Sequence, residues 1–268
     1  MLERPRILLT NDDGARAPGL AVLERIAARL SDDVWVVAPE TDQSGTSHSI
    51  SLHQPLRVLP EGDRRYTVRG TPSDCVLLAM GHLMADHPPD LILSGVNCGA
   101  NISDSVAYSG TVGAAMTGLL MDIPAIALSQ AFFDRHEICW ETAETFAEPV
   151  IRTLLDSGYR GDVCFNVNFP ARPVDQVAGL AFARPAKGSI SGVVIEPRND
   201  TREEPYYWLG FQRSPERVQA PDSDVEALRR GRIAVSPLRF DRGIDDSWSG
   251  LAAAMGDAVA AAQRQQRS

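Results

Sequence analysis

Short apolar runs alternate along this chain with longer segments whose apolar residues recur every three or four positions. The runs at 6–10, 33–38, 90–94, 124–129 and 163–168 have the length of strands buried on both faces of a parallel sheet. Between them the spacing predicts helices over 18–31, 73–86, 110–121 and 140–157. In the first of these Leu20, Leu23, Ile26, Ala27 and Leu30 share a face, and Pro18 suits its first turn. Strand and helix in alternation imply an α/β fold, with a mostly parallel sheet covered by helices on both faces. Residues 47–70 alternate weakly and contain Pro55 and Pro60, which points to a hairpin or edge strands.

Beyond about 185 the pattern changes. Residues 186–222 are rich in Gly, Pro, Arg and Glu, carry the cluster Tyr206-Tyr207-Trp208, and show no helical period, so they read as an extended arm or hairpin. Ile233–Leu238 reads as one more strand, 249–262 as an Ala-rich helix, and 263–268 as a polar tail. The expected organisation is a core over 1–185, an arm with a returning strand over 186–240, and a C-terminal helix and tail over 241–268. The arm's aromatic residues have too little local pattern to bury themselves and are expected to pack on another subunit.

The 268 residues carry a net charge of −9 with basic residues mostly scattered, which argues against a nucleic-acid polymer as partner. No apolar run approaches the roughly 18 residues of a membrane span, and the opening Met-Leu-Glu-Arg-Pro-Arg leads straight into the first strand, so neither a signal peptide nor a membrane anchor is expected. Cys75, Cys98, Cys139 and Cys164 form no C-x-x-C pair and read as reduced thiols of a cytoplasmic protein.

The chemistry gathers in four loops at the carboxyl ends of predicted strands, the edge where open α/β sheets bind ligands. The first, Asn11-Asp12-Asp13-Gly14, places two adjacent carboxylates where a helix cap or a hard divalent cation such as Mg²⁺ or Mn²⁺ would account for them. The second runs from Pro39 to Ser49 and supplies a hydroxyl beside a glycine at Ser44-Gly45, and His48. The third, Ser94 to Asn101, combines closely spaced glycines with Asn97, whose neutral oxygen could join a metal held by two acids. It lacks the G-x-G-x-x-G of dinucleotide-binding folds. The fourth, Tyr108-Ser109-Gly110-Thr111-Val112-Gly113, opens a helix with free N–H groups and hydroxyls, an anion site suited to phosphate. Gly70-Thr71-Pro72-Ser73-Asp74 reads as a capped helix start, and Asn166-Val167-Asn168 puts two amides on one face of a strand end.

Thr10-Asn-Asp-Asp-Gly14, Ala38-Pro39 with Ser44-Gly45, Gly70-Thr-Pro-Ser-Asp-Cys-Val76, Ser94-Gly-Val-Asn97, Ser109-Gly-Thr-Val112 and Asn166-Val-Asn-Phe-Pro170 together resemble the survival protein SurE family of metal-dependent nucleotidases, from about residue 6 to 240. The resemblance implies a Rossmann-like core, an arm used in oligomerisation as a homodimer or homotetramer, and one divalent metal per subunit held by Asp12, Asp13, Ser44 and Asn97. It implies hydrolysis of nucleoside 5′- and 3′-monophosphates, with short polyphosphate as a further substrate. In that reaction Ser109, Gly110, Thr111 and Asn101 are the expected phosphate contacts. Asp13 or Asn11 would orient the attacking water, and His48 would be a phosphate donor or acid. The chain departs from the family at Ser103 and Ser105, where a glycine and an acid are usual.

Rival readings are a covalent aspartyl-phosphate phosphatase, disfavoured because Asp12 and Asp13 are adjacent rather than two apart, and a non-catalytic nucleotide- or phosphate-binding module. A metal-dependent deacetylase is disfavoured because no histidine accompanies the acids.

Overall fold

A computed structural model describes residues 4–158, 163–188, 190–213, 220–241, 252–256 and 258–259. Its strands, in chain order, are β1 (Ile7–Thr10), β2 (Val34–Pro39), β3 (Val58–Gly62), β4 (Arg65–Val68), β5 (Leu91–Cys98), β6 (Ala125–Gln130), β7 (Cys164–Phe169), β8 (Leu180–Phe182), β9 (Ile190–Asn199), β10 (Pro205–Arg213) and β11 (Ile233–Leu238). All but β9 and β10 form one sheet in the order β3-β4-β2-β1-β5-β6-β7-β11-β8. The run from β4 to β7 is parallel, whereas β3 pairs antiparallel with β4 and β11 antiparallel with β7. The expected hairpin over 47–70 is thus the β3–β4 edge.

The α-helices that accompany the strands are α1 (Pro18–Leu30), α2 (Pro72–Leu78), α3 (Gly110–Leu120), α4 (Trp140–Asp156) and α5 (Asp224–Arg229). The apolar stripe of α1 packs with Ala143, Ala147 and Ile151 of α4 over one face of the sheet. On the other face Cys75 and Val76 of α2 meet Val112, Ala114 and Ala115 of α3. Every side chain of β1 is fully buried, because a central parallel strand has helices on both sides. Since β2 lies on one side of β1 and β5 on the other, the chain turns opposite ways from these two strands. Their carboxyl ends flank a crevice at the topological switch point.

Local signals explain the element starts. Thr71 and Asp74 form a reciprocal capping box, the Thr71 hydroxyl accepting from the Asp74 N–H at 3.1 Å and Asp74 Oδ2 from the Thr71 N–H at 2.9 Å. The helix expected over 73–86 stops being α at Leu78 and continues as a π turn, Ala79–Leu83. The third strand, expected to end at 94, runs on to Cys98, so Asn97 stands on a strand end rather than in a loop. Neither the short edge strand β8 nor α5 was legible as such.

The arm is a hairpin. β9 and β10 pair with each other alone, and Val193, Val194, Tyr207, Trp208 and Leu209 lie exposed on it. Its root is tied to the segment 103–108: the Asp104 carboxylate accepts from the N–H groups of Gly188 and Ile190 at 3.0 and 2.9 Å, and the Tyr108 and Phe211 rings lie 5.1 Å apart. Of the C-terminal helix expected over 249–262, residues 252–256 and 258–259 are helical; the others, and the tail 263–268, lie outside the described residues.

Candidate active site

Beyond the end of β1 the chain turns through Asn11, Asp12 and Asp13. Asp12 is almost wholly buried, and its Oδ1 accepts the Thr111 hydroxyl at 2.6 Å. Helix α3 can come this close only because residue 110 is glycine: a Cβ there would stand 2.8 Å from the Asp12 Cβ. Ser109 caps α3, its Oγ accepting the Val112 N–H at 3.0 Å and its carbonyl the Gly113 N–H at 3.0 Å. The Gly110 N–H has no acceptor among the described residues, so this donor at the positive end of α3 is free for an anion.

Behind Thr111 stands a buried polar network. Asn101 donates through Nδ2 to Thr111 Oγ1 at 3.1 Å and to Ser129 Oγ at 3.0 Å. Its own peptide is clamped by β7: Asn168 Oδ1 accepts the Asn101 N–H at 2.8 Å, while Asn166 and Asn168 donate to its carbonyl at 2.8 and 3.2 Å. Both amide hydrogens of Asn101 are therefore spent on holding Thr111 and Ser129. Its arrangement organises the donors at the start of α3.

Asp13 faces the other way. Its Oδ2 accepts the Cys98 N–H at 2.9 Å, which joins the β1 and β5 ends. Asn97 donates through Nδ2 to the Gly99 carbonyl at 2.8 Å, leaving Oδ1 as the end of the amide with no donor among the described residues. The loop carrying Ser44 is drawn in by the Gln43 N–H on the Asp12 carbonyl at 2.7 Å. Ser44 itself is exposed, with its N–H on Asp42 Oδ1 at 2.7 Å.

The same loop leans on α3. A Cβ at Gly113 would meet the Ser47 carbonyl at 2.3 Å. His48 Nε2 lies 2.9 Å from Thr117 Oγ1, whose hydroxyl donates to the Gly113 carbonyl at 2.9 Å, so the imidazole is the donor. This places the His48 ring on the flank of α3, holding the loop. Asn11 is buried; its Nδ2 donates to the Gly14 carbonyl at 2.9 Å, and its Oδ1 has no hydrogen-bond partner among the described residues.

The electrostatics fit a cation. Burial pushes the Asp12 carboxyl up to about 6 against the Thr111 hydroxyl that lowers it, and repulsion from Asp13 adds to the rise. Burial likewise raises Asp13, with the Cys98 N–H opposing and Asp42 repelling. The two carboxylates, the Asn97 amide oxygen and the Ser44 hydroxyl offer oxygen donors alone, which suits a hard divalent ion. Among the described residues no three of His, Cys, Asp and Glu cluster as metal ligands.

Two features escaped the sequence. Ser129 shares the Asn101 amide, and a hydroxyl ending the apolar strand 125–130 was the available signal. Arg135, whose guanidinium attracts Asp13, left no signal at all.

Residues 7–192 match the family described as Survival protein SurE. The chain is 52% identical over 251 residues to a protein of Burkholderia lata named 5'-nucleotidase SurE 1, covering 94% of this chain and 96% of the relative. It is 54% identical over 240 residues to the 5'-nucleotidase SurE of Azorhizobium caulinodans, covering 88% and 93%. The crystal structure of the SurE protein from Aquifex aeolicus superposes with a TM-score of 0.76 at 33% identity, over 89% of this chain and 95% of that one. With the fold, the paired carboxylates and these likenesses in agreement, the chain belongs to the SurE family.

Proposed function

We propose that this protein is a divalent-metal-dependent phosphatase that hydrolyses nucleoside 5′-monophosphates, with 3′-monophosphates and short polyphosphate as further substrates. One observation carries the reading: the buried Asp12 carboxylate, repelled by its neighbour Asp13, stands directly in front of the N-terminus of α3. The names of the relatives support the nucleotide as substrate.

In this reading Asp12, Asp13, Asn97 and Ser44 hold Mg²⁺ or Mn²⁺. When bound, such an ion supplies Lewis acidity and offsets the charge of a phosphate. Thr111 fixes the Asp12 carboxylate in one orientation, and Asn101, clamped by Asn166 and Asn168, fixes Thr111. The Gly110 N–H and the dipole of α3 hold a phosphate oxygen as charge shifts in the transition state. Ser109 serves by capping the helix, and His48 by keeping the Ser44 loop on α3. Asn11 shapes the turn from which both acids project.

The exposed apolar hairpin supports assembly as a homodimer or homotetramer, and the four free cysteines support a reducing, cytoplasmic setting. Among the described residues no helix is long and apolar enough to cross a membrane.

A phosphate-release screen over nucleoside monophosphates, with Mn²⁺ and with chelator, tests the reading. Release that stops in chelator is expected. Nucleotide binding that persists in chelator with no phosphate released would instead make the protein a binding module.

A further inference from the structure

Between the Asn101 clamp and the Ser109 cap runs a short 3₁₀ turn, Ser103–Tyr108. Its far end also holds the Ser44 loop: the Tyr108 carbonyl accepts the Ser47 N–H at 3.1 Å, and the Ala107 carbonyl accepts the Ser47 hydroxyl at 2.7 Å. The placement of one turn thus bears on Asn101, on the start of α3 and on the Ser44 loop together.

The turn begins in an unfavourable conformation. Ser103 has a φ of +56°, in the left-handed region that a residue with a Cβ enters only at an energetic cost. Among the described residues it is the one buried non-glycine residue in that region, since Ser47, Arg64, Asp122 and Glu203 are all at least partly exposed. Such a conformation persists only where its surroundings hold it. Here the Ser103 hydroxyl donates to the Ala186 carbonyl, and its N–H donates to Asp224 Oδ2 at 2.9 Å.

Asp224 is aimed at that contact. It opens α5, 121 residues further along the chain, and is fully buried. Its N–H is fixed on the Arg184 carbonyl at 3.1 Å and its Oδ1 on the Val225 N–H at 2.8 Å, which leaves Oδ2 for Ser103. The cap of α5 is Ser223, whose Oγ accepts the Glu226 N–H at 3.2 Å, so the helix does not need Asp224 for that purpose. Burying a carboxylate is costly, and hydrogen bonds to a charged acceptor are about twice as strong as neutral ones. A charge kept in the interior to grip one strained peptide marks that peptide as the point to be held.

We propose that Asp224 is a positioning residue for phosphate hydrolysis: by holding Ser103 left-handed it sets the Ser103–Tyr108 turn, and through it the start of α3 and the Ser44 loop. This rests on the nucleotidase reading and adds a residue that touches neither metal nor substrate.

The test measures kcat and KM of the full-length protein for adenosine monophosphate at saturating Mn²⁺. Asp224→Ala, which removes the acceptor, should lower kcat by about 10–100-fold while KM moves by less than about threefold. Asp224→Asn keeps a neutral acceptor and should lose only about three- to tenfold in kcat. Ser103→Gly supplies the second arm, because glycine enters the left-handed region freely. In that background Asp224→Ala should cost about fivefold less in kcat than it does in the parent. Asp224 variants whose kcat equals the parent's, whatever their melting temperature, overturn the proposal, and so do equal losses in the two Ser103 backgrounds. Should Asp224→Ala not fold, the loss in Asp224→Asn and its relief by Ser103→Gly decide alone. A wild-type protein that releases phosphate from no monoester overturns the nucleotidase reading, and this inference with it.

Discussion

The crevice and the hairpin invert the usual distribution of residues in opposite ways. In the crevice, Asp12, Asn101, Thr111, Ser129, Asn166 and Asn168 are polar and buried. On the hairpin, Tyr207, Trp208 and Leu209 are apolar and more than 60% exposed. A buried polar group is costly unless its bonds are made, and the network around Asn101 makes nearly all of them, joining the loop after β5 to β6, β7 and α3. An exposed apolar face gains nothing until something covers it. The first region satisfies its bonds within one chain, whereas the second leaves an apolar face open. Preorganisation for chemistry and readiness for association therefore leave opposite marks.

The comparison breaks most sharply at the acids. Asp12→Asn or Asp13→Asn should lower Mn²⁺-supported turnover by about a thousandfold or more while leaving the circular dichroism spectrum intact, because charge is removed from a site where it is repelled. Turnover within tenfold of the parent would take that residue out of the metal site. Next in size is the hairpin: Trp208→Glu with Leu209→Glu should weaken self-association by about 30-fold or more, the scale of an interface hot spot. An unchanged mass by light scattering at micromolar protein would show that the hairpin is not an interface.

Asn168→Ala sharpens the contrast from inside the network. It removes two of the three side-chain contacts to the Asn101 peptide and should cost about 10–100-fold in kcat/KM, the range for residues that orient ligands, with the loss in kcat more than in KM. An effect on melting temperature alone would make the clamp merely structural. The smallest effect concerns Asp224, which holds the Ser103 and Val225 N–H groups near the hairpin root. Burial raises its carboxyl from 3.8 to about 6, although those N–H groups pull it down. Between these values the folded protein keeps a proton that the unfolded chain releases. The resulting stabilisation is complete below about pH 4 and is lost as pH rises through about 6. Asp224→Asn should flatten the decline of melting temperature between pH 4 and 6.5; an identical slope would refute the shift.

Much of this was legible. The run Ile7–Thr10 followed by two acids, the small residues opening α3, and the arm's lack of period are local patterns, and each corresponds to an observed element. Less legible were features decided by contacts far apart in sequence. Gly95 interrupts the pattern of β5, which continues because β6 pairs with Asn97 and Cys98 beyond a register shift. His48 read as a candidate phosphate donor, since its approach to Thr117 depends on Gly113 admitting the Ser47 carbonyl. Asn101 read as a phosphate contact, yet the direction of its amide is set by Thr111 and Ser129. Arg135 reaches Asp13 from a loop that begins at the far side of β6.

The segment Ser103–Tyr108 is a shared wall. Its N-terminal side receives Asp224 and the hairpin root through Ser103 and Asp104, and at its other end the Tyr108 carbonyl holds the Ser47 N–H in the loop that carries Ser44. A change in this segment bears on the Ser44 loop and on the foot of the arm together. In the proposed reading, substrate range and subunit geometry are thereby linked, and drift in one drags the other along.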